Sequence, residues 1–583
     1  MNYSKISLLV VSAFIVAFTA TRKMNSINLE DRRNIVSAKV NDTEVIGCGL
    51  PATPIAPFGV DRAIVPLPGW GTHSWKISSA NDSAQFYFNQ GLNLFYSFHM
   101  EESRSSFDEA LVHDPGCAMA HWGKAMASGP NINSPGYDFN DAGIISGLEK
   151  AVSVARDSLE KKLISAQQLR YSKNESSDRI SMAIAYRDAL KTILDEYPEN
   201  IEVSVLYADA MMQVNARDWY FINKKPKTGT LEIVEQLENI IEKSPDHPAA
   251  LHYYVHMAEA SDEPEKAIDE ADKLMGLLPS VAHMVHMPSH IYIRTGNYQK
   301  GVLSNKLAIA GYRNYQKVLN GWEGSRTLYF YHNADMQGTN AMMMGNYVEA
   351  KQSFQQNIDK FNLADTALFS SPGFGSYFQF LMMQPYLLDV RFGNWKKLQQ
   401  AKRSLSRGVY ASALWNFGQG MAYANTSKLA NARKYLGHIK ASMKDSALYK
   451  RRGNRNRGID GVTIAVNILE GTIAMRQHQY NDAIKFFSDA VQVEDSLRYS
   501  EPEDWRIPAR HYLGQAYIAK GEYPNALKTF EADLKDQPLN FWALNGIREV
   551  LVKQHKTKEL AAHLARYETV LAMADARVPG SAF

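Results

Sequence analysis

A repeated helix-pair pattern runs through most of the 583-residue chain and constrains its fold more than any other feature. Glycine, phenylalanine and proline recur at offsets of 0, 16 and 24 residues, first as Gly91, Phe107 and Pro115 and again as Gly514, Phe530 and Pro538. Small residues let two helices cross closely, an aromatic ring fills the gap, and a proline ends the second helix. From Ser83 the periodicity is helical, without strand-like alternation. We therefore predict one all-α solenoid of about ten helix pairs, not several globular domains.

Four segments are expected along the chain. Residues 1–23 combine Lys5 with an apolar run from Ile6 to Ala20, which is typical of a signal peptide and is shorter than the roughly 20 residues of a spanning helix. Residues 24–82 are a Pro/Gly-rich extended arm, residues 83–570 the solenoid, and residues 571–583 a C-terminal tail. We expect an exported protein, periplasmic or extracellular, with membrane contact only if the N-terminal segment remains as an uncleaved anchor.

Charge and cysteine content narrow the classes of function. The formal net charge of +3 gives no general attraction to nucleic acid, so no nucleic-acid partner is expected. Two cysteines, Cys48 and Cys117, either form one disulfide that ties the arm to the first helical unit or remain two unpaired thiols. Their number and spacing do not fit a thiolate metal site or a redox pair.

The repeats resemble the tetratricopeptide-repeat (TPR) superfamily over nearly all of residues 84–570. Several stretches are similar to an exported bacterial TPR subgroup, among them "FNQGLNLFYSFHMEESRSSFDEA", "HYYVHMAEAS", "HMVHMPSHIYIRTGNY" and "EPEDWRIPARHYLGQAYIAKGEY". The resemblance implies a right-handed superhelix with a concave groove. In this superfamily, positions 2, 5 and 9 of each first helix face that groove, where peptides or partner helices commonly bind.

Six histidines form a regular lattice on the middle repeats: His252, His256, His283, His286, His290 and His332. Adding 34 to positions 252 and 256 gives 286 and 290, which matches the repeat length. When the repeats are numbered from 248, 282 and 331, the resemblance places all six histidines at positions 2, 5 or 9. The lattice is therefore predicted to face the groove near the middle of the array.

Histidines three or four residues apart on a helix share a face and can bring two imidazoles onto one ion. An all-imidazole site suits a divalent transition metal, namely Zn, Cu, Fe or Ni, and not Mg or Ca. Glu259 or Asp335 could orient such a ligand from behind. Pro288, inside the helix between His286 and His290, is expected to free the carbonyl of Met284 and to kink the helix, which would re-aim His290.

Three alternatives stay open beside the metal site. Neutral imidazoles could line a groove for a polar ligand, and the repeats could form a protein- or peptide-binding scaffold without metal. A metal-dependent enzyme of unknown reaction is the third. A hydrolase triad of Ser289, His290 and Asp335 is disfavoured, because Ser289 lies within a helix and has no nucleophile-elbow context. Glu501 and Asp504, just ahead of a helix, are interpreted as capping residues.

Overall fold

The computed structural model describes residues 64–321, 326–361, 369–370, 374–402, 408–451, 456–575, 578 and 580–583. All of these residues belong to one compact unit. Within them the regular structure is helical, with three isolated bridges in loops. The prediction of an all-α fold is confirmed.

The α-helices follow one another in this order: α1 Asp82–Tyr96, α2 Met100–His113, α3 Ala118–Ser128, α4 Ala142–Val154, α5 Ser158–Gln168, α6 Arg179–Glu196, α7 Ile201–Val214, α8 Thr230–Lys243, α9 Pro248–Glu259, α10 Ile268–Leu277, α11 Ala282–His286, α12 Pro288–Arg294, α13 Tyr298–Val318, α14 Arg326–Met343, α15 Tyr347–Lys360, α16 Phe374–Arg391, α17 Trp395–Gln400, α18 Val409–Asn425, α19 Leu429–Ser442, α20 Gly458–Arg476, α21 Tyr480–Asp495, α22 Ala509–Lys520, α23 Tyr523–Asp536, α24 Phe541–Lys553 and α25 Thr557–Leu571. Two short 3₁₀ helices, Pro264–Ala267 and Ser446–Tyr449, precede α10 and α20.

Side-chain caps explain where many of these helices begin. The carboxylates or amides of Asn81, Asp141, Asp157, Asp178 and Asn200 accept hydrogen bonds from backbone N–H groups in the first turn of the helix that follows. Each bond satisfies a donor that has no partner inside the helix, which stabilises a helix start by about 1 kcal/mol.

Glycine–phenylalanine contacts set the spacing of helices within the repeats. A Cβ atom added to Gly91 or Gly123 would lie 2.9 or 2.3 Å from the ring of Phe107. The ring of Phe530 is held in the same way between Gly514 and Gly546, where the distances would be 2.2 and 2.5 Å. Only glycine leaves room for these rings, so the repeated Gly and Phe positions correspond to close helix crossings. The helix pairs are therefore of the TPR type.

The superhelix curls until repeats that are far apart in sequence touch. Side chain to backbone hydrogen bonds join distant repeats: Tyr329 Oη to Phe98 O at 3.0 Å, Tyr298 Oη to Pro538 O at 2.9 Å, and Trp542 Nε1 to Met342 O at 2.9 Å. The first repeat and the last repeats thus both pack against the middle of the array. The surface that an open TPR groove would present is enclosed there.

Residues 64–81 run as an extended strap over the first helices. Backbone N–H groups of the strap donate to amide side chains of α1, such as Leu67 N to Gln90 Oε1 at 2.8 Å and Ile77 N to Gln85 Oε1 at 3.1 Å. Cys117 is a buried free thiol in the structure, and Cys48 lies outside the described residues. The segments 1–23 and 24–63 also lie outside them.

One helix within the described ranges, Gly458–Arg476, is long and apolar enough to cross a membrane by length and composition. Most of its residues are buried against neighbouring helices, among them Val462, Ile468 and Leu469. Its apolar character is that of a helix in the protein core.

Candidate metal centre

All six lattice histidines lie together in the interior of the protein. His252 and His256 are on α9, His283 and His286 on α11, His290 on α12 and His332 on α14. Five of the side chains are fully buried, and His332 is 6% exposed. Sequence analysis placed these residues on an open groove; the curl of the superhelix instead closes protein over them.

Pro288 divides the helix that carries three of the rings. Helix α11 ends at His286 and α12 begins at Pro288, so the proline occupies the first position of a new helix, where its missing N–H costs nothing. Ser304 Oγ donates to the carbonyl of Val285 at 2.5 Å, which satisfies an acceptor at the break.

The rings fall into two groups of three. In the first, one ligand nitrogen from each of His252, His256 and His283 lies within 4.8 Å of the other two. His252 Nε2 and His283 Nε2 are 3.1 Å apart, and the ring centroids of His252 and His256 are 4.8 Å apart. We call this group the first trio. Metal–nitrogen bonds of about 2.0–2.1 Å place two tetrahedral ligand nitrogens about 3.3 Å apart, so the spacing suits one ion.

The second trio consists of His286, His290 and His332, whose ligand nitrogens also lie within 4.8 Å of one another. His290 Nε2 lies 2.7 Å from His286 Nε2 and 3.5 Å from His332 Nε2. The ring centroids of His286 and His332 are 4.6 Å apart. Three imidazoles converge on one point again, and a fourth position would stay open in a tetrahedral site.

Hydrogen bonds behind the rings fix which nitrogen carries the proton. His252 Nδ1 lies 2.7 Å from the carbonyl of Tyr96, and His286 Nδ1 lies 2.6 Å from Asn305 Oδ1. Asn305 Nδ2 donates to the carbonyl of Gly301, which fixes the orientation of that amide. Because a carbonyl oxygen only accepts, each Nδ1 must donate, and Nε2 of each neutral ring is left with a lone pair.

Glu259 acts in the same way on one histidine from each trio. Its Oε1 lies 2.9 Å from His256 Nδ1, which also lies 2.9 Å from Arg217 Nη1, and its Oε2 forms an ion-pair contact with His290 Nδ1. Imidazoles that donate from Nδ1 to a carboxylate or carbonyl and present Nε2 to the centre are typical of metal ligands. His256 Nε2 has no hydrogen-bond partner among the described residues, although the side chain is fully buried.

Charged side chains surround Glu259. Arg217 donates to Glu259 Oε1 at 2.8 Å and to Glu501 Oε1 at 2.5 Å, and Glu501 Oε2 lies 3.8 Å from His290 Nδ1. Burial alone would raise the pKa of Glu259, but His290, Arg217 and His256 hold it well below the ordinary value. Glu259 is therefore a buried carboxylate anion at neutral pH.

The imidazoles in turn resist protonation. Burial lowers the pKa of His252, His256, His283 and His286, and it lowers three of them well below the ordinary value. The neighbouring rings add to this effect, since a charge on one imidazole disfavours a charge on the next. At neutral pH these four rings offer lone pairs, which is the form that a metal ion requires.

Two residues beside the cluster adopt left-handed backbone conformations, which non-glycine residues rarely do. Phe98 has φ 55° and Arg217 has φ 63°. The Phe98 ring lies over the first trio, with its centroid 4.6 Å from that of His252. Such conformations cost about 1 kcal/mol or more and persist only where the surrounding structure imposes them. Here the left-handed conformations place the Phe98 ring and the Arg217 guanidinium against the histidines.

Asp335 and Ser289 do not have the positions that a hydrolase triad needs. Asp335 Oδ2 accepts from Arg506 at 2.7 Å, and the described contacts of Asp335 include none to a lattice histidine. Ser289 Oγ lies 3.3 Å from His286 Nδ1, a nitrogen already engaged by Asn305. Of the two carboxylates considered as orienting groups, Glu259 is the one in contact with the rings.

Three residues beside the histidines were not predicted from the sequence, and a fourth was interpreted differently. No sequence pattern indicates that Arg217, Asn305 or Phe98 lies beside the histidines. Their contacts with the cluster form between different repeats, so they depend on the tertiary structure. Glu501, interpreted as a capping residue, instead pairs with Arg217 beside His290. Its position ahead of a helix was correct, but the curl of the superhelix decides what it touches.

A separate histidine–carboxylate group lies next to the first trio. Glu202 Oε1 lies 2.7 Å from His73 Nε2 and 3.2 Å from His247 Nε2, and Glu202 Oε2 accepts from Tyr96 Oη. The backbone N–H of Ala250 donates to His247 Nδ1, so the proton of His247 is on Nε2 and points at Glu202. The donors and acceptors of this group pair with one another. We therefore interpret it as a hydrogen-bonded network that holds the strap in place, and not as a metal site.

The helices and their contacts define the class of protein: an all-α, TPR-type scaffold with a histidine cluster at its centre. Among solved structures the chain is similar to a human IFIT1 dimer with m7Gppp-AAAA, with 12% identity and a TM-score of 0.31 over 86% of this chain and 97% of that chain. It is also similar to the Cut9–Hcn1 hetero-tetramer of the APC/C, with 13% identity and a TM-score of 0.26 over 86% of this chain and 77% of that chain.

A third similar structure is yeast Tom70, with 12% identity and a TM-score of 0.25 over 82% of this chain and 90% of that chain. All three are TPR-repeat proteins. No family model and no curated protein matches the chain. What this chain binds must therefore be inferred from its own residues.

Proposed function

We propose that this chain is an exported TPR-type scaffold that binds a first-row transition-metal ion, namely Zn, Cu, Fe or Ni, through the six buried histidines. The observation that most supports this proposal is the distance of 2.7 Å between His286 Nε2 and His290 Nε2. Asn305 and Glu259 draw the ring protons to the opposite nitrogens, so two lone pairs face each other at that distance. The contact is repulsive unless a cation lies between or beside them.

A proton on His290 would also relieve this contact, with Glu259 as its counter-ion. A metal ion accounts for more of the arrangement, because it uses the other rings of the two trios and the lone pair of His256 Nε2 as well. Buried lone pairs without a partner each cost about 1–3 kcal/mol, a cost that coordination removes. The metal proposal thus explains features that a single buried imidazolium leaves unexplained.

Binding fits the surroundings better than catalysis or capture of a peptide. The rings are buried, so an extended peptide in an open groove would not reach them. A cavity of about 30 Å³ lies beside Glu501, lined also by Arg294, Tyr499 and Trp505. That volume holds one or two water molecules. Storage or delivery of an ion is the role that such a closed site favours.

Elemental analysis of the full chain tests the proposal. The purified protein would be freed of metal, offered Zn²⁺, Cu⁺, Fe²⁺ or Ni²⁺ separately, desalted and analysed. We expect at least one ion per chain for one or more of these metals. The variant His286→Gln/His290→Gln should lose most of that metal, while His438→Gln, which changes an exposed histidine on α19, should keep all of it. Absence of retained metal from the unmodified chain with all four ions would refute the proposal.

A further inference from the structure

The two trios are built by the same rule from successive repeats. Each consists of an i,i+4 pair and one histidine contributed by the next repeat. The first trio takes His252 and His256 from α9 and His283 from α11, and the second takes its members in the same order, as His286, His290 and His332. The site is therefore a repeated unit and not a single irregular cluster.

The trios are neighbours that remain distinct. Their closest rings are His283 and His286, with centroids 6.1 Å apart, and His256 and His290, with centroids 6.4 Å apart. Within each trio the shortest Nε2–Nε2 distances are 3.1 and 2.7 Å, although the His256 and His283 centroids of the first trio are themselves 6.0 Å apart. The ligand nitrogens of each trio lie within 4.8 Å of one another, and among the described residues the six rings form two such groups of three and not one group of six.

Glu259 connects the two trios from behind. One of its oxygens contacts His256 Nδ1 of the first trio and the other contacts His290 Nδ1 of the second. Arg217 and Glu501 are charged groups in contact with this carboxylate and its histidines. The charges of these three side chains are −1 for each glutamate and +1 for the arginine, which gives a sum of −1 before the imidazoles are counted.

We propose that the chain binds two ions, one in each trio, with Glu259 as the hydrogen-bonding partner common to both sites. This inference rests on the proposed function and specifies its stoichiometry. Two singly charged ions beside a local charge of −1 leave a net +1, whereas two doubly charged ions leave +3. Because uncompensated charge is costly in a buried site, copper(I) is the probe best suited to fill both trios.

The test is a copper(I) titration of the metal-free full chain under anaerobic conditions, followed by elemental analysis. Two ions per chain are expected. His252→Gln/His283→Gln should retain one ion, held by the second trio, and His286→Gln/His332→Gln should retain one ion, held by the first. Each variant keeps the histidine that donates to Glu259, so the charged network stays paired. His438→Gln is the matched control and should retain two.

Thermal melts of the metal-free variants check that each is folded, and a folded variant of each trio is required before its stoichiometry is compared. One ion per unmodified chain would overturn the two-site inference and leave the proposed function standing. The same holds if either double variant abolishes all binding, since the trios would then form one site. No copper(I) and no other ion bound by the unmodified chain would refute both.

Discussion

Proton positions on single imidazoles decide what the cluster can do. A carbonyl, an amide oxygen and a carboxylate engage Nδ1 of His252, His286 and His290, and each leaves Nε2 to face the centre. Burial then keeps the rings neutral by lowering the pKa of His252 and His286. These contacts orient the rings in the way that the proposed metal site requires.

The Glu259→Gln substitution tests this preparation. A glutamine has one acceptor oxygen, so it can hold the Nδ1 proton of His256 or of His290, but not both. We expect metal affinity to fall by about 10- to 100-fold, as measured by competition with a chelator. Glu263→Gln, which alters an exposed glutamate paired with Lys266, is the control and should leave affinity unchanged. Equal affinities of the two variants would contradict the role assigned to Glu259.

Asp209 predicts a pH dependence that is independent of the metal site. Burial raises its pKa to about 7, although Arg170 and a hydrogen bond from Gln213 oppose the rise. The folded state therefore binds a proton more tightly than the unfolded chain, whose aspartate pKa is about 3.9. The free energy of unfolding that protonated Asp209 contributes is fully present below pH 4 and is lost as the pH rises through about 7.

Asp209→Asn should remove that loss. At pH 8 the variant is expected to be about 1–3 kcal/mol more stable than the unmodified protein, since one pKa unit corresponds to about 1.4 kcal/mol. At pH 4.5 the two proteins should differ little. Denaturation followed at both pH values gives the comparison, and a stability difference that does not change with pH would show that Asp209 is ionised throughout.

At the scale of helices, glycine positions control how closely neighbours approach. Gly514 on α22 faces the ring of Phe530 on α23, and an added Cβ would come within 2.2 Å of that ring. Gly437 on α19 is exposed, and an added Cβ there would meet nothing within 4 Å. Glycine thus makes room for an aromatic ring in α22, whereas in α19 it only adds the entropic cost of a flexible backbone.

Alanine substitutions separate these roles. Gly514→Ala is expected to destabilise the protein by about 1–3 kcal/mol because the Phe530 ring must move in a packed core. Gly437→Ala should stabilise it by about 0.5–1 kcal/mol, because alanine loses less backbone freedom in a helix. The thermal midpoints of the two variants should shift in opposite directions. A shift of the same sign in both would contradict the packing argument.

At the scale of the whole molecule, contacts between distant repeats close the superhelix. Arg506 donates to Asp335 at 2.7 Å across 171 residues of sequence, and both side chains are buried. Burial raises the pKa of Asp335, an effect that Arg506 partly offsets. The pair lies between the segment that carries Glu501 and the helix that carries His332, so it holds two sides of the site together.

Arg506→Ala should therefore destabilise the protein by about 3–5 kcal/mol, because it leaves a buried carboxylate without its charge partner. Arg498→Ala is the control: its guanidinium is 40% exposed and 3.7 Å from Asp218, so the effect should stay within about 0.5 kcal/mol. Adding Asp335→Asn to Arg506→Ala should restore part of the loss. Thermal melts measure all four proteins, and an Arg506→Ala variant as stable as the control would contradict the proposed closure.

Local pattern determined the architecture of this protein. Helical periodicity and the Gly–Phe–Pro offsets each act over a few residues or one neighbouring helix, and the fold was predicted from them. The grouping of six histidines was also visible, because a 34-residue period returns His286 and His290 to the places of His252 and His256.

Only the tertiary structure decided that the histidines are buried and how they divide into two trios. Phe98, Arg217 and Glu501 reach the cluster from repeats that lie far from it in sequence, and the small rotation between successive repeats, summed over the array, sets that approach. The sequence of a single repeat does not determine this summed rotation. For the same reason Glu501 was taken for a cap and Asp335 for a partner of the rings, when the fold pairs them with Arg217 and Arg506.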